Sequence, residues 1–449
     1  MKTISKWILG AALLFGVKLS AQQEDTSTYV FTLKQSVDYA LQHSTSIKSA
    51  QLQQAQATEK TKEVMGIALP QINASFQVQD FLEIPTSLIP AEVFGGPPGA
   101  FIPVQFGTKY NSTANFSGSQ LLFSGTWFYG IKGAKVYQDL AQKNVTRTQI
   151  EASAEVTKAY YTALVNQERK GLLDANVAKL KKMKDDTKVL YDNGFVEKID
   201  LDRITVAYNN LLTEVGNVQR LLDLSLVILK YQIGMDQSAK LELADKLADV
   251  AFTPAAATQG KFNYGNRIEY QILERNLDAQ KLMFKAERAG YLPTIAFFGS
   301  LSAQAQRQEF DIFARKRWYP IFVIGIQVNM PIFDGLQRHH RLQYNRISID
   351  QAENDLVALR RAIDMQQAVA KVNLQNSSAT LESQKANMEL AQSVFDVAQK
   401  KFDQGVGSNL EVINAQTALK EAQTNYFNAL YDAVIAKVEY DKATGQLTK

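Results

Sequence analysis

The chain has 449 residues, and its 49 lysines and arginines nearly balance its 45 aspartates and glutamates. A net charge of +4 therefore indicates neither a nucleic-acid partner nor a strongly acidic one. With no cysteine, the sequence excludes disulfides, thiolate metal sites, thiol nucleophiles and lipid attachment at an N-terminal cysteine.

Residues 1–21 have the pattern of a secretory signal peptide. Lys2 and Lys6 supply a positive start, Trp7 to Val17 supply an apolar core, and Leu19-Ser-Ala21 supplies a cleavage region of mostly small residues. This apolar core is too short for a permanent membrane helix, which is the alternative interpretation, and no later run reaches about 20 apolar residues. We therefore expect the mature chain to be secreted, periplasmic, or inserted in an outer membrane as a β-barrel.

The sequence predicts a first structural repeat over residues 22–235, which begins with helices and continues with strands. Thr32 can cap the first helix, and a second helical stretch runs from about Ser46 to Gly66. The hydrophobic period then changes from about 3.6 to about 2, which predicts strands at about 71–82 and about 108–122. The first is about long enough to cross a bilayer at a tilt. One face of the first strand carries Ile72, Ala74, Phe76 and Val78, and one face of the second carries Ser112, Ala114, Phe116 and Gly118.

The connection between these two strands is rich in proline and glycine. Its segment Gly95-Gly-Pro-Pro-Gly99 lacks the lysine, serine or strand context of a phosphate-binding loop, so we interpret it as an extracellular loop. Aromatic residues beside the strands have the composition of an interfacial girdle. They are Trp127, Phe128 and Tyr129 in the first half and Trp318 and Tyr319 in the second.

A very long helical pattern follows, and a second helix returns alongside it. The pattern from about Phe128 to Tyr191 corresponds to roughly 95 Å of helix at 1.5 Å per residue. Apolar residues in the returning helix alternate in steps of four and three, which is the spacing of a left-handed coiled-coil seam. The seam consists of Ile204, Tyr208, Leu211, Val215, Val218, Leu222, Ser225 and Leu229.

The turn between the two helices carries a motif that the chain uses twice, near 191–201 and near 402–412. The first copy begins Tyr191-Asp-Asn-Gly194 and the second begins Phe402-Asp-Gln-Gly405, about 211 positions later. Glycine accepts the left-handed conformation that ends a helix, so Gly194, Gly405 and the nearby Gly407 predict tight turns. Each copy therefore indicates the tip of a helical hairpin.

The rest of the plan repeats as well. After a linker at 236–265, a second structural repeat is predicted over 266–445, with strands at about 294–305 and about 318–330, and a tail at 446–449. Leu292-Pro293 ends a helix as Leu69-Pro70 does in the first half. Agreement over so many positions favours one architecture made of two similar halves.

The predicted strands constrain the assembly. Two strands per half give four per chain, whereas barrels in outer membranes have about eight or more, and lipid does not tolerate open sheet edges. The chain must therefore form oligomers, unless the strands lie outside a membrane. Helices of roughly 95 Å must also project from a bilayer whose apolar core is about 30 Å thick.

The whole mature chain resembles the TolC-like outer-membrane efflux and export ducts. The resemblance rests on the duplicated order of helices and strands, on the tip sequence from Phe402 to Ile413, and on the N-terminal sequence from Phe31 to Leu41. It implies an α+β membrane protein in which a homotrimer shares one twelve-stranded barrel, while long antiparallel coiled-coil helices form a periplasmic tunnel. It also implies a passive channel of a tripartite efflux or type I secretion system in the cell outer membrane. The partners would be outer-membrane lipid, a periplasmic adaptor protein and an inner-membrane pump, with no cofactor and no nucleic acid.

The resemblance also implies a gate at the periplasmic tips. By position, Asp200, Glu411 and Asn414 correspond to the ring where carboxylates constrict the tunnel, and three copies around an axis would bring like charges together and could bind cations. Phe402 stands where the family uses a tyrosine to lock the helices, and Gly407 stands where it uses an arginine. Asn414 replaces the second constricting acid, so the resemblance predicts a looser or more apolar closure.

A structural interpretation of the same acids stays open. Ser408 and Glu411 have the Ser-x-x-Glu spacing of a capping box, and Asp200 lies early in its helix, where a carboxylate favours the helix dipole. The two roles can coexist.

Nothing in the sequence indicates catalysis. There is no Ser-His-Asp grouping and no clustered carboxylate pair, and adjacent helical residues such as His339 and His340 point about 100° apart with no third metal ligand nearby. We therefore expect no enzyme and no metal site. The alternative function is a non-porous periplasmic or surface coiled-coil scaffold, although a scaffold needs no lipid-facing apolar stripe such as Ile72 to Val78 supplies.

Overall fold

The computed structural model describes residues 28–247 and 262–447. The predicted signal peptide, residues 248–261 of the predicted linker and the last two residues of the tail lie outside the described residues. The described chain is mostly helical with some strands. Its elements, in chain order, are β1 (Thr28–Phe31), α1 (Leu33–His43), α2 (Thr45–Gly66), β2 (Gln71–Asp80), β3 (Thr86–Pro90), β4 (Phe101–Gln105), β5 (Tyr110–Phe123), α3 (Gly125–Asp192), α4 (Lys198–Ile233), β6 (Lys240–Leu243), α5 (Ile268–Ala289), β7 (Thr294–Arg307), β8 (Tyr319–Asn329), α6 (Gln337–Asp403) and α7 (Asn409–Thr444).

The chain divides into two compact units. In the described chain, the strand unit comprises residues 49–148 and 262–365, and the tip unit comprises residues 28–48, 149–247 and 366–447. The helices α3 and α6 contribute residues to both units. Within the described ranges, no helix is both long enough and apolar enough to span a membrane.

The strand unit contains a four-stranded sheet with the order β2-β5-β7-β8, in which every neighbouring pair is antiparallel. Residues that face each other in an antiparallel pair lie on the same side of the sheet. Phe76 faces Ala114, Ala114 faces Ala303, and Gly299 faces Ile324, so the alternating patterns of the four strands combine. One side of the sheet is therefore largely apolar from β2 to β8. It carries Ile72, Ala74, Phe76 and Val78; Ala114, Phe116 and Gly118; Phe297, Gly299, Leu301 and Ala303; and Phe322, Ile324, Ile326 and Val328.

The opposite side of β2, β5 and β7 is lined by uncharged polar residues. They are Asn73, Ser75, Gln77 and Gln79; Asn111, Thr113, Asn115 and Ser117; and Ser300, Ser302, Gln304 and Gln306. The outer strands β2 and β8 each have one neighbour in the sheet, so each leaves one row of backbone groups unpaired in the described chain.

The segment between β2 and β5, which was predicted as a loop, contains a β-hairpin. Residues of β3 face those of β4 from Thr86, opposite Gln105, to Pro90, opposite Phe101. A short 3₁₀ turn joins the strands, and the Ala91 amide donates to the Ala100 carbonyl at 2.8 Å. Pro90 and Pro103 obscure the strand pattern, but proline is tolerated in a two-stranded sheet where every strand is an edge.

Two further differences concern the ends of predicted segments. The linker predicted at 236–265 includes β6, which pairs in parallel with β1 from the start of the described chain. Its alternation of exposed and buried residues over Lys240–Leu243 is too short to indicate a strand without that partner. The long helix predicted from about Phe128 begins slightly earlier, at Gly125, so Trp127 lies in the first turn of α3, where its indole N–H donates to the Val64 carbonyl at 2.9 Å.

The tip unit has two large apolar cores and a smaller cluster around Tyr440. In the first, Tyr160 is fully buried, and its hydroxyl lies 3.0 Å from the Phe31 carbonyl and 2.8 Å from Oδ2 of Asp245. Burial and the Asp245 carboxylate raise the pKa of Tyr160, so this hydroxyl stays protonated and ties the N-terminal strand to the segment after β6.

The second core joins the coiled-coil helices α3, α4, α6 and α7. The α4 seam residues Ile204, Leu211 and Val218 are buried in it, together with Phe395 and Leu419. We name this cluster the tip core.

Helix ends in the tip unit repeat with a constant spacing. At the end of α4, the Met235 amide donates to the Lys230 carbonyl at 2.9 Å, and Gly234 has a φ of +75°. At the end of α7, the Gln446 amide donates to the Asp441 carbonyl at 2.8 Å, and Gly445 has a φ of +72°. Both are Schellman ends, and the two sets of residues differ by 211 in number.

Candidate functional site: the two helical tips

The first tip joins α3 to α4 through a Schellman turn. Gly194 has a φ of +77°, and its amide donates to the Tyr191 carbonyl at 2.9 Å. The Phe195 amide donates to the Leu190 carbonyl, also at 2.9 Å. Only glycine adopts this conformation at little cost, so Gly194 fixes where the helix ends.

The second tip joins α6 to α7 with the same turn. Gly405 has a φ of +76°, and its amide donates to the Phe402 carbonyl at 2.9 Å. The Val406 amide donates to the Lys401 carbonyl at 3.0 Å, and the Gly407 amide reaches the same carbonyl, also at 3.0 Å. The second tip therefore has one backbone bond more than the first.

Gly407 is required for space rather than for its backbone conformation. A Cβ atom at this position would lie 2.8 Å from Cβ of Lys401 and 3.0 Å from the backbone nitrogen of Phe402. Both are too close, and neither neighbour is the movable end of a side chain. The corresponding position of the first tip, 211 residues earlier, is Val196.

The return helices begin differently. Ser408 caps α7, because its hydroxyl accepts a hydrogen bond from the Glu411 amide at 3.2 Å. Glu197, at the start of α4, forms no capping bond through its side chain to any described residue. Glu411 therefore takes part in the cap through its backbone amide. No described residue bonds to its carboxylate, which is exposed to solvent.

The starts of α4 and α7 are joined by Asn409. Its Nδ2 donates to the backbone carbonyl of Asp200 at 2.6 Å, and only 5% of the residue is exposed. Its Oδ1 is also buried and has no hydrogen-bond partner within the described part of the chain. We name this bond the tip latch. Sequence reasoning missed it, because an asparagine after a helix cap carries no signal of its partner on another helix.

The two tip acids have different surroundings. Oδ1 of Asp200 lies 4.0 Å from a guanidinium nitrogen of Arg203, one turn later in α4. Glu411 has the neutral Asn414 at the corresponding position in α7, and both line a groove of about 560 Å³ between α6 and α7. Lys401 lines this groove as well. The structure thus brings Glu411 and Asn414 together, while Asp200 lies outside this groove.

Phe402 occupies a third environment. It is partly buried and packs against the tip core, at the point where α6 ends. Its ring is therefore available for apolar packing between helices.

The predicted aromatic residues lie in the strand unit with mixed exposure. Phe128 is exposed and packs edge-on against Tyr129, with Nζ of Lys132 4.4 Å from the Phe128 ring centre. Trp318 lies 6.4 Å from Phe76, ring centre to ring centre. Tyr319 is exposed, with Arg317 5.6 Å from its ring centre.

The described residues contain no group of three or more His, Asp or Glu side chains that could hold a metal ion. The rings of His339 and His340 lie 5.4 Å apart at an interplanar angle of 80°, so they do not converge on one point.

Residues 269–446 match the family model described as outer membrane efflux protein. The outer membrane protein TolC of Vibrio cholerae is 20% identical over 339 residues, which cover 75% of this chain and 77% of that protein. The resemblance predicted from the sequence is confirmed.

Two solved structures share the fold. The outer membrane protein VceC of Vibrio cholerae superposes with a TM-score of 0.66 at 16% identity, covering 92% of this chain and 96% of that one. The outer membrane channel MtrE of Neisseria gonorrhoeae, solved in an open state, superposes with a TM-score of 0.68 at 15% identity, covering 95% of each chain. The chain has a TolC-like fold.

Proposed function

We propose that this chain is a passive channel of the cell outer membrane, that three copies form it, and that it is gated at the helical tips. The observation that carries the proposal is the four-stranded sheet, which has a largely apolar side, an opposite side lined by uncharged polar residues on three of its strands, and two open edges. The similarity to outer-membrane efflux proteins supports the same function.

The sheet fits a shared barrel. Four strands cannot close alone, since outer-membrane barrels need about eight or more, and open edges are not stable in lipid. Three copies supply twelve strands and leave no edge. The apolar side then faces lipid, and Ser, Thr, Asn and Gln side chains face the water-filled lumen. The exposed rings of Phe128 and Tyr319, with Trp127, Tyr129 and Trp318 beside them, form the interfacial girdle.

The tips form the gate. Three copies bring three Glu411 carboxylates and three Asn414 amides towards one axis, and Asp200 adds a second set of acids in the same region. Like charges that converge in this way attract cations. In each copy the tip latch joins α4 to α7, and Phe402 packs the end of α6 against the tip core, so opening requires these helices to separate or slide. MtrE, with the same fold, has been solved in an open state, which supports such a motion.

The energy for transport comes from an inner-membrane pump. A periplasmic adaptor protein connects that pump to the tips, as in a tripartite efflux or type I secretion system. The channel itself supplies the conduit and the gate.

The test uses one preparation of detergent-purified mature protein, in which the oligomeric mass and the single-channel conductance in a planar bilayer are both measured. We expect a trimer that conducts ions. A folded monomer or dimer without conductance would contradict the proposal and favour the non-porous coiled-coil scaffold.

A further inference from the structure

We propose that the internal repeat fixes how β8 of one copy pairs with β2 of the next, with Ile326 facing Val78 and Gln327 facing Gln77. The inference rests on the proposed function, because it requires that copies of the chain form a closed ring through their open sheet edges. It names the residues of that interface, which the fold alone does not supply.

Strand β7 is the repeat of strand β2, and equivalent residues in the two strands differ by 223 in number. Before β2, the Ala68 amide donates to the Met65 carbonyl and the Leu69 amide donates to the Gly66 carbonyl, at 3.3 and 3.0 Å. Before β7, the same two bonds join Tyr291 to Arg288 and Leu292 to Ala289, at 3.3 and 3.1 Å. All four positions differ by 223, and a Leu-Pro pair follows in both halves.

The strands β5 and β8 correspond with a difference of 210. After β5, the Ser124 hydroxyl accepts a bond from the Trp127 amide at 3.2 Å, at the start of α3. After β8, the Asp334 carboxylate accepts a bond from the Arg338 amide at 3.2 Å, at the start of α6. Ser124 and Asp334 thus have the same capping role and differ by 210. Leu336 is the one non-glycine residue with a positive φ in the described chain. It is an additional residue between β8 and α6, so equivalent residues in the following helices differ by 211.

The two hairpins test these differences independently. In the first hairpin, Ala74 faces Phe116. Adding 223 and 210 predicts that Phe297 faces Ile326 in the second hairpin, and it does. The two halves therefore share one strand register throughout.

The pairing of β5 with β7 then predicts the contact between copies. This pair joins the end of the first repeat to the start of the second, and in a closed ring β8 is followed in the same way by β2 of the next copy. Gly118 faces Gly299 and Ser117 faces Ser300 in the chain. Moving β5 to β8 and β7 to β2 by the same differences places Val328 opposite Phe76 and Gln327 opposite Gln77 of the partner copy.

The side-chain pattern agrees with this register. Ile326 and Val328 meet Val78 and Phe76 on the apolar side, while Gln327 meets Gln77 on the polar side. A slip of one residue would place the apolar side chains of one strand opposite the polar side chains of the other. The bulge at Leu122 in β5 corresponds to Ile332, which follows Pro331, and a bulge is one of the few places where a sheet tolerates proline.

Both edges are free to pair. All ten residues of β2 are exposed, and in β8 Gly325 alone is not. In one chain, β2 and β8 are separated by two strands, which places them about 14 Å apart at 4.7–4.9 Å per strand. A disulfide between these strands must therefore join two copies, because its Cα atoms lie about 4.4–6.8 Å apart.

The absence of native cysteine makes disulfide trapping a direct test. The matched variant is Gln77→Cys with Gln327→Cys, made in the full-length chain in the outer membrane. Two shifted controls keep Gln327→Cys and replace Gln77→Cys with Ser75→Cys or Gln79→Cys, each displaced by two residues on the same side of the sheet. A second matched variant is Val78→Cys with Ile326→Cys. Facing residues in an antiparallel pair alternate between hydrogen-bonded and non-hydrogen-bonded sites, so the two matched variants together test both kinds of site. Gln77→Cys alone detects pairing between two β2 edges.

The readout is the covalent oligomer on denaturing, non-reducing gels, with the oligomeric mass in detergent measured in parallel. We expect a ladder up to the linked trimer from at least one matched variant, several-fold stronger than from either shifted control and lost on reduction. Stronger linking in a shifted control, or no linking in a proven oligomer, overturns the register but leaves the ring. Dimers from Gln77→Cys alone, or a monomeric mass for every variant, overturn the ring and the proposed function with it.

Discussion

The two tips end their long helices in the same way but begin their return helices differently. Both ends are Schellman turns on a glycine at positive φ, at positions that differ by 211. At the return, the second tip has a serine cap, a crowded Gly407 and the buried Asn409, where the first has Glu197, Val196 and Lys198. The helix ends thus obey a backbone requirement that both copies share, while the helix starts have become specialised.

This difference assigns separate tasks to the two tips. The second tip holds its own turn tightly and supplies the side chain that grips the first tip at Asp200. It also presents Glu411 without a cation one turn away, whereas Asp200 has Arg203. We therefore expect substitutions in the second tip to have larger effects than matched substitutions in the first, in the order that follows.

The largest effect is expected at Gly407. Gly407→Ala forces a Cβ atom against Lys401 and the Phe402 backbone, which should destabilise the tip locally by about 1–3 kcal/mol. Val196→Ala creates the same residue at the corresponding position of the first tip and should change little. Amide hydrogen exchange over residues 397–414 and 186–203 measures both. Equal protection of the two tips in the two variants would contradict the steric explanation.

The tip latch should come next. Asn409→Ala removes the hydrogen bond to Asp200 and should weaken the contact between α4 and α7 by about 1 kcal/mol. The effect is no larger because the substitution also removes the buried Oδ1, which has no hydrogen-bond partner within the described residues. Faster hydrogen exchange is expected in both tips, including residues 198–204. Lys198→Ala, at the matching exposed position of the first tip, is the control and should leave exchange unchanged. Faster exchange confined to α7 would mean that the bond does not couple the tips.

The serine cap should contribute a similar or smaller amount. Ser408→Ala leaves the Glu411 amide without its partner and should cost about 1 kcal/mol, seen as fraying of the first turn of α7. Glu197→Ala is the matched change at the start of α4, where the described structure shows no capping side chain, and it should have no such effect. Comparable fraying at both starts would show that the cap is not what distinguishes them.

The smallest expected effect concerns charge. Glu411→Gln should weaken block of the channel by divalent cations more than Asp200→Asn, because Arg203 already offsets part of the Asp200 charge. The measurement is the Mg²⁺ concentration that halves single-channel conductance. Asn414→Asp provides the opposite change and should strengthen the block. A larger effect from Asp200→Asn would assign the constriction to the first tip.

Much of this comparison could be predicted from the sequence, for local reasons. The turns at Gly194 and Gly405 could be predicted because residues other than glycine rarely adopt the left-handed conformation that these turns require. The strands β2, β5, β7 and β8 could be predicted because apolar residues recur at every second position over much of each strand.

Other features depend on partners that are distant in sequence. The strand β6 exists by pairing with β1, more than 200 residues earlier, and its four residues carry too little pattern alone. The hairpin of β3 and β4 is obscured by its prolines. The tip latch depends on two helices meeting at Asn409 and Asp200, 209 positions apart, and no local pattern encodes that contact.

The most direct test of the gated-channel account is the open probability of single trimers in a planar bilayer, wild type against Asn409→Ala. If the tips hold the channel closed, the variant should open more often at the same voltage, while Lys198→Ala behaves as the wild type. An unchanged open probability in trimers whose tips exchange faster would show that loosening the tips does not open the channel, and the gate would have to lie elsewhere.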